Sequence, residues 1–181
     1  SGKLPFSFPA KLTDCGAHAF DELSYPGDSI KQEYKEDILV GYRWHDTKEI
    51  PALFPFGHGL SYTTFTYGKP VASAKAMAAD GTLTVTVAVK NTGSIAGKEI
   101  VQLYVGDDKC SVLRPVKELK HFAKVGLAPG EEKSVTFTLT PDDLKFYDEA
   151  SAAWKYEPGK FKAYVCASSA DVRGVVSFEM Q

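Results

Sequence analysis

The stretch TLTVTVAVKN, Thr82 to Asn91, decides the fold. Leu83, Val85, Val87 and Val89 fall on one side, with Thr84, Thr86 and Lys90 on the other. Strict alternation built from β-branched residues is the period of a strand with one buried face and one wet face. The same pattern recurs outward from it. EIVQLYVGD sets Val101, Leu103 and Val105 against Gln102 and Tyr104, and KSVTFTLT sets Val135, Phe137 and Leu139 against Ser134, Thr136 and Thr138. VKELKHFAKV reads as a further strand closed by the turn Ala128-Pro129-Gly130. PDDLKFYD reads as one helical turn, with Pro141 at a favourable first position. AWKYE, KFKAYVCAS and VVSFEM supply the last three strands, with Pro158-Gly159 as the turn before the second. On the upstream side, Asp80-Gly81 between two extended runs predicts a short hairpin. Short strands at this turn spacing, with no long helix, imply an antiparallel β-sandwich over residues 70–181.

Before the sandwich the text changes character. LFPFGHGLSYTTF, Leu53 to Phe65, crowds aromatic residues onto a backbone broken by Pro55, Gly57 and Gly59. Neither a regular strand nor a helix carries those three breakers so close together. Phe54, Phe56, Leu60, Tyr62 and Phe65 are therefore expected to plug into a core while Gly57 and Gly59 let the chain turn between them. Residues 13–50 are polar and irregular, as in a linker packed on something else. Within them Ile38, Val40 and Tyr42 alternate with Leu39, Gly41 and Arg43, which predicts a short strand or extended arm. The opening SGKLPFSFPAKL holds a short alternating run, Leu4 to Phe8, closed by Pro9. An isolated strand is not stable in water, so this one is expected to belong to a sheet outside the chain.

Composition excludes several function classes. The formal net charge of −2 gives no attraction to nucleic acid or an anionic membrane. No apolar run approaches the ~18 residues that span a bilayer. The three cysteines, Cys15, Cys110 and Cys166, lack metal-type spacing, and the histidines His18, His45, His58 and His121 are scattered. No metal or other cofactor is expected. Cysteine usage leaves the compartment open; a secreted or periplasmic location is favoured, with any signal region outside this chain.

Several long motifs together resemble family 3 glycoside hydrolases, the β-glucosidases and their relatives. LFPFGHGLSYTTF is similar to that family's P-x-F-P-F-G-H/Y-G-L-S-Y-T-x-F. YKEDILVGYRWHD, Tyr34 to Asp46, resembles its Y-x-E-G-I/L-x-V-G-Y-R-Y/W-Y/F-D, except that Asp37 stands where Gly is usual and His45 where an aromatic is usual. RPVKELKHFAKVGLAPGEEKSVTFTL and YEPGKFKAYVCASSADVR match the family's closing text; His121 there replaces a glycine and is placed on an exposed strand position. The resemblance covers the whole chain. It implies the tail of an upstream α/β domain over residues 1–12, an interdomain linker and junction over 13–69, and a fibronectin type III-like sandwich over 70–181. It also implies retaining hydrolysis of terminal β-glucosides, or of β-xylosides, by two carboxylates about 5 Å apart. Both carboxylates fall upstream, so no catalytic residue is assigned here. The partners implied are the upstream catalytic domains of the same enzyme, in one polypeptide or as a separate chain, and a β-glycoside substrate held by the intact enzyme.

Three local features remain as candidates. Arg43, Trp44 and His45 could form the rim of a substrate cleft, Arg donating to hydroxyls and Trp stacking on a sugar ring; alternatively they cap and pack between domains. Phe54, Phe56, Gly57, Gly59, Leu60 and Tyr62 are expected to form the interdomain junction. Glu33, Glu36 and Asp37 are the nearest carboxylates in sequence, and they equally suit a solvated loop face. A stand-alone carbohydrate-binding or adhesion module is the competing reading. Such a module would show a row of exposed aromatics, whereas Tyr104, Tyr147, Trp154, Tyr156 and Tyr164 are scattered among strands.

Overall fold

The computed structural model describes residues 2–181. The first third of the chain forms only short pieces: strand β1 (Phe8–Pro9), two single 3-10 turns, helix α1 (Tyr42–Thr47) and strand β2 (Ala52–Phe54). β1 pairs antiparallel with β2, placing Phe8 opposite Phe54. The opening segment therefore finds its partner within this chain, contrary to the expectation of a sheet elsewhere. The Leu4 N–H donates to the His58 carbonyl and the Gly57 N–H donates to the Leu4 carbonyl, both at 2.8 Å. Gly57 makes this possible: its φ of +77° turns the chain so that both groups face Leu4. Lys3 completes the anchorage on the sandwich, ion-paired to Glu99 at 3.0 Å and donating to the Ala167 carbonyl at 3.1 Å.

The arm expected over residues 34–46 is extended in none of its later part. Gly41, at φ +61°, reverses the chain, and its carbonyl accepts the N–H groups of both Trp44 and His45 to open α1. Ile38 and Val40 lie exposed, while Leu39 points inward and is buried. Their alternation imitated a strand, but no neighbouring strand is there to pair with it.

The sandwich follows. β3 (Phe65–Tyr67), β4 (Val71–Ala72) and β5 (Ala76–Met77) lead into the long strands β6 (Leu83–Asn91), β7 (Gly97–Asp107), β8 (Glu118–Leu127) and β9 (Glu132–Leu139). Helix α2 (Pro141–Leu144) is a single turn closed by a capping box of Thr140 and Asp143. β10 (Phe146–Asp148) and β11 (Ala153–Lys155) make a separate hairpin before β12 (Gly159–Cys166) and β13 (Val172–Met180). One sheet runs β5-β13-β12-β7-β8; in the other, β6 pairs with β3 and β4 along one edge and with β9 along the other. The strand Phe65–Tyr67 thus belongs to the sandwich although it precedes residue 70. Leu83, Val85, Val87 and Val89 meet Val101, Leu103, Phe137, Phe161, Val165 and Phe178 in one core. Each such side chain contributes on the order of 1.5–3 kcal/mol when removed from water.

The Asp80-Gly81 turn forms, with the Gly81 N–H on the Ala78 carbonyl at 2.9 Å, but it closes no hairpin. β5 pairs in parallel with β13, whereas β6 lies in the opposite sheet. The turn carries the chain across the core. Its flanking runs were compatible with pairing, and the packing of both inner faces directs them apart.

β7 is buried on both faces. Val101, Leu103 and Val105 point into the core, while Gln102, Tyr104 and Gly106 are covered by upstream residues and by the loop before β8. Tyr42 stacks edge-on against Tyr104 with ring centroids 5.6 Å apart, and Lys117 meets Asp46 at 2.7 Å. The linker therefore packs on the sandwich itself. Thr63 ties the junction down further: its hydroxyl donates at 2.6 Å to Asn91, a fully buried residue whose amide also donates to the Ile95 and Leu127 carbonyls.

Candidate functional site

A groove of about 730 Å³ opens beside β8, between α1, the loop that precedes β8, and the β10–β11 hairpin. Its floor is a charge cluster centred on Glu118. One carboxylate oxygen lies 3.3 Å from Arg43, and the other lies 3.2 Å from Arg114 and 3.5 Å from Lys120. Burial alone would raise the Glu118 carboxyl; Lys120, Arg114 and Arg43 outweigh it and hold the group below the ordinary glutamate value. Arg114 is nearly enclosed. It donates to the Leu144 carbonyl at 3.1 Å, sits 3.5 Å from Asp107, and lies over the Phe146 ring. Burial raises the Asp107 carboxyl above its ordinary value.

The lip of the groove is aromatic. Tyr147 and Trp154 are direct cross-strand partners on the β10–β11 hairpin, with centroids 5.7 Å apart and planes at 72°. Cross-strand aromatic pairs of this kind stabilise an otherwise weak two-stranded ribbon. Yet Trp154 keeps 66% of its surface exposed and Tyr147 keeps 51%. The two aromatics that look scattered in sequence form one surface. Their equal distance from the turn between Asp148 and Ala153 is the signal that could have found them.

Of the three rim candidates only Arg43 reaches this groove. Trp44 is buried, its indole N–H donating to the Asp14 carbonyl at 3.1 Å and its ring meeting Phe20 edge-on. His45 is buried too, with Nδ1 2.9 Å from the Ile50 carbonyl. The turn of α1 sends both inward, so neither can stack on or donate to a ligand here. Asp46, beside His45 in sequence, turns instead to Lys117; burial is the main influence on its carboxyl and raises it. Asp37, on the groove wall, adopts φ +56° and accepts the Ile38 N–H at 2.7 Å. The usual glycine of the motif fits that left-handed backbone, and aspartate is among the few residues that tolerate it.

The junction residues divide. Phe56 is half-buried, its ring 5.0 Å from that of Tyr42, and Gly57 is buried against Gln102. Gln102 in turn accepts from the Tyr104 hydroxyl at 2.5 Å and donates to the Ala167 carbonyl at 3.0 Å. Gly59 approaches the Gly2 carbonyl closely enough that a Cβ would collide with it. Leu60 and Tyr62, expected in a core, are instead 84% and 96% exposed, and Phe54 is exposed beside Phe8 and His58. The Gly57 and Gly59 turns swing those side chains outward, because the inward positions are taken by Phe56, Thr63 and Phe65.

The acidic residues Glu33, Glu36 and Asp37 do not converge. Glu33 is paired with Lys31 and Lys35, and Glu36 is buried with one carboxylate oxygen unpartnered. A different trio, Asp107, Cys110 and Glu157, brings its ligand atoms within 4.8 Å of one another. Its carboxylates are already engaged, Asp107 by Arg114 and the Lys109 N–H, Glu157 by the Ser111 N–H and hydroxyl. His121 is half-buried rather than exposed: it stacks on Phe137 and reaches Asp143 at 3.1 Å.

Residues 99–169 match the fibronectin type III-like domain model. The chain is 67% identical to β-glucosidase BoGH3A of Bacteroides ovatus over 99% of its own length and 24% of that protein. It is 50% identical to the thermostable β-glucosidase B of Acetivibrio thermocellus, with 95% of this chain and 22% of that one covered. Among solved structures it superposes on DesR, a β-glucosidase from Streptomyces venezuelae in complex with D-glucose, with a TM-score of 0.90 and 41% identity over 99% of this chain and 23% of that one. The chain thus spans about a quarter of the length of the relatives it matches. Its whole length thus corresponds to the C-terminal portion of these family 3 glycoside hydrolases, with their fibronectin type III-like sandwich.

Proposed function

We propose that this chain is the accessory C-terminal part of a retaining β-glycosidase that releases terminal β-linked glucose, with both catalytic carboxylates in domains upstream. The observation that carries this reading is the 67% identity to BoGH3A over nearly the whole chain but only 24% of that β-glucosidase. In this reading residues 1–12 and the junction lie against the upstream domains. Phe6, Phe8 and Phe54 form an exposed edge-to-face cluster, with Leu53, Leu60 and Tyr62 also exposed nearby in sequence. Exposed apolar surface gathered in this way suits a docking face rather than a face left to water.

The test is an aryl β-glucoside assay. The whole polypeptide in which this chain occurs releases nitrophenol, and the 181-residue chain alone releases none, since retaining hydrolysis needs two positioned carboxylates. Turnover by the chain alone that survives stringent purification and is lost in Glu36→Gln would overturn the reading.

A further inference from the structure

We infer that the groove beside β8 is a saccharide-binding site built by the linker, β8 and the β10–β11 hairpin, and that it takes a β-linked gluco-oligosaccharide. Three features of the groove converge on a neutral sugar. First, its charges cancel. Four basic and four acidic side chains line it, and those on the floor are already matched, Glu118 with Arg43, Arg114 and Lys120. A phosphate or a carboxylate ligand would have to displace Glu118 from its three cations, and a cationic ligand would meet those cations directly. Second, a charge-paired floor remains rich in N–H donors and carboxylate acceptors that can accept or give hydrogen bonds to hydroxyls without any net charge on the ligand.

Third, Tyr147 and Trp154 present an exposed aromatic corner at the mouth, one plane set at 72° to the other. A ring face there can stack on the axial C–H surface of a pyranose, while the phenol hydroxyl and indole N–H stay available for hydroxyl groups. Apolar wall with a few placed polar groups is the general make-up of small-molecule sites, and about 730 Å³ is an ordinary size for one. A β-linked glucose chain is a flat ribbon with an apolar face on either side, which fits a stacking wall beside an open groove; an α-linked chain coils away from it. That the sugar is β-linked glucose rests on the function proposed above, whereas the binding of a neutral sugar rests on the groove alone.

The chain has two tryptophans, Trp44 buried and Trp154 exposed, so fluorotryptophan labelling gives one reporter at the groove and one control. Cellotetraose should move the Trp154 fluorine resonance saturably, with a midpoint on the order of 1 mM, and leave that of Trp44 in place. Maltotetraose should bind at least about tenfold more weakly, and Tyr147→Ala should weaken cellotetraose binding by a similar factor. Tyr147 is half-exposed and outside the sandwich core, and Trp154→Ala followed by calorimetry gives a second variant at the same wall. A Trp154 resonance that does not respond to cellotetraose would overturn the inference. So would equal responses to both sugars, or binding unchanged in both variants. None of these readouts involves glycoside cleavage, so their failure is distinct from failure of the assay above.

Discussion

The Tyr42 hydroxyl accepts the Leu119 backbone N–H at 2.9 Å, joining two residues 77 positions apart. Leu119 sits where the β7–β8 register slips between Leu103 and Tyr104, so its N–H is turned away from the regular ladder. Burial raises the Tyr42 hydroxyl above its ordinary value, which keeps it a neutral phenol at this position. Through this one bond the linker satisfies a donor that the sheet leaves open. The loop side chains of a family junction thereby become part of the sandwich's own hydrogen bonding.

Tyr42→Phe should accordingly lower the stability of the whole sandwich rather than loosen the linker alone. Leaving a buried N–H without its acceptor costs about 1–3 kcal/mol. Urea unfolding followed by far-ultraviolet circular dichroism would show a lower midpoint with an unchanged slope. An unchanged midpoint would mean that Leu119 finds another acceptor.

Gly57→Ala should be among the most damaging single-methyl changes in the chain. Gly57 has φ +77°, and an added Cβ would run into the Gln102 amide, itself held by Tyr104 and Ala167. Positive φ and overpacking together amount to more than about 2 kcal/mol. Gly126→Ala is the matched control: its Cβ would meet only the Lys98 side chain at 3.8 Å, and its thermal midpoint should stay close to the parent's.

Glu118 should give the chain an acid-sensitive component of stability. Its carboxyl lies below the ordinary value of 4.5 when folded, so between those two values the unfolded chain binds more protons. The contribution is full above 4.5 and is lost as pH falls through the folded value. Asp46 and Asp107, raised mainly by burial, act in the opposite sense, so the effect is isolated by comparing the parent with Glu118→Gln. The variant should be less stable at neutral pH by about 1.5–3 kcal/mol, the range for hydrogen bonds to a charged group. The gap should close on acidification; parallel curves would remove Glu118 from the account.

Cys166 should be silent toward thiol reagents in the folded chain. It is fully buried on β12, and desolvation pushes its thiol up to about 12, leaving almost no thiolate near neutrality. Cys15 and Cys110 are half-buried. Mass spectrometry after labelling at mildly alkaline pH should show at most two modified cysteines, with Cys166 reacting only after denaturant is added.

Much of the fold was legible because a strand with one buried face writes its own period. Leu83 to Val89 and Val135 to Leu139 alternate in sequence and are the same residues that fill the core. Helix α2 announced itself through Pro141 for a similarly local reason, and the Thr140–Asp143 capping box closes it in the structure. What failed were inferences about which partner a segment would meet. Asp80-Gly81 specifies a turn, but whether the flanking strands pair or part depends on β13 and on the opposite sheet, far away in sequence. The Ile38–Val40 alternation and the LFPFGHGL aromatics likewise fix local character without saying which side chains face inward. Gly41 and Gly57 settle that by reversing the chain at positive φ, burying Trp44 and His45, half-burying Phe56 and turning out Leu60 and Tyr62. The groove was invisible for the same reason. Arg43, Arg114 and Glu118 come from separate elements, and Tyr147 meets Trp154 only when the hairpin closes. Periodicity and turn chemistry are short-range properties of a chain, so they determined the strands and the family motifs. The charge cluster and the aromatic lip need residues distant in sequence to share one surface, and only tertiary packing brings them there.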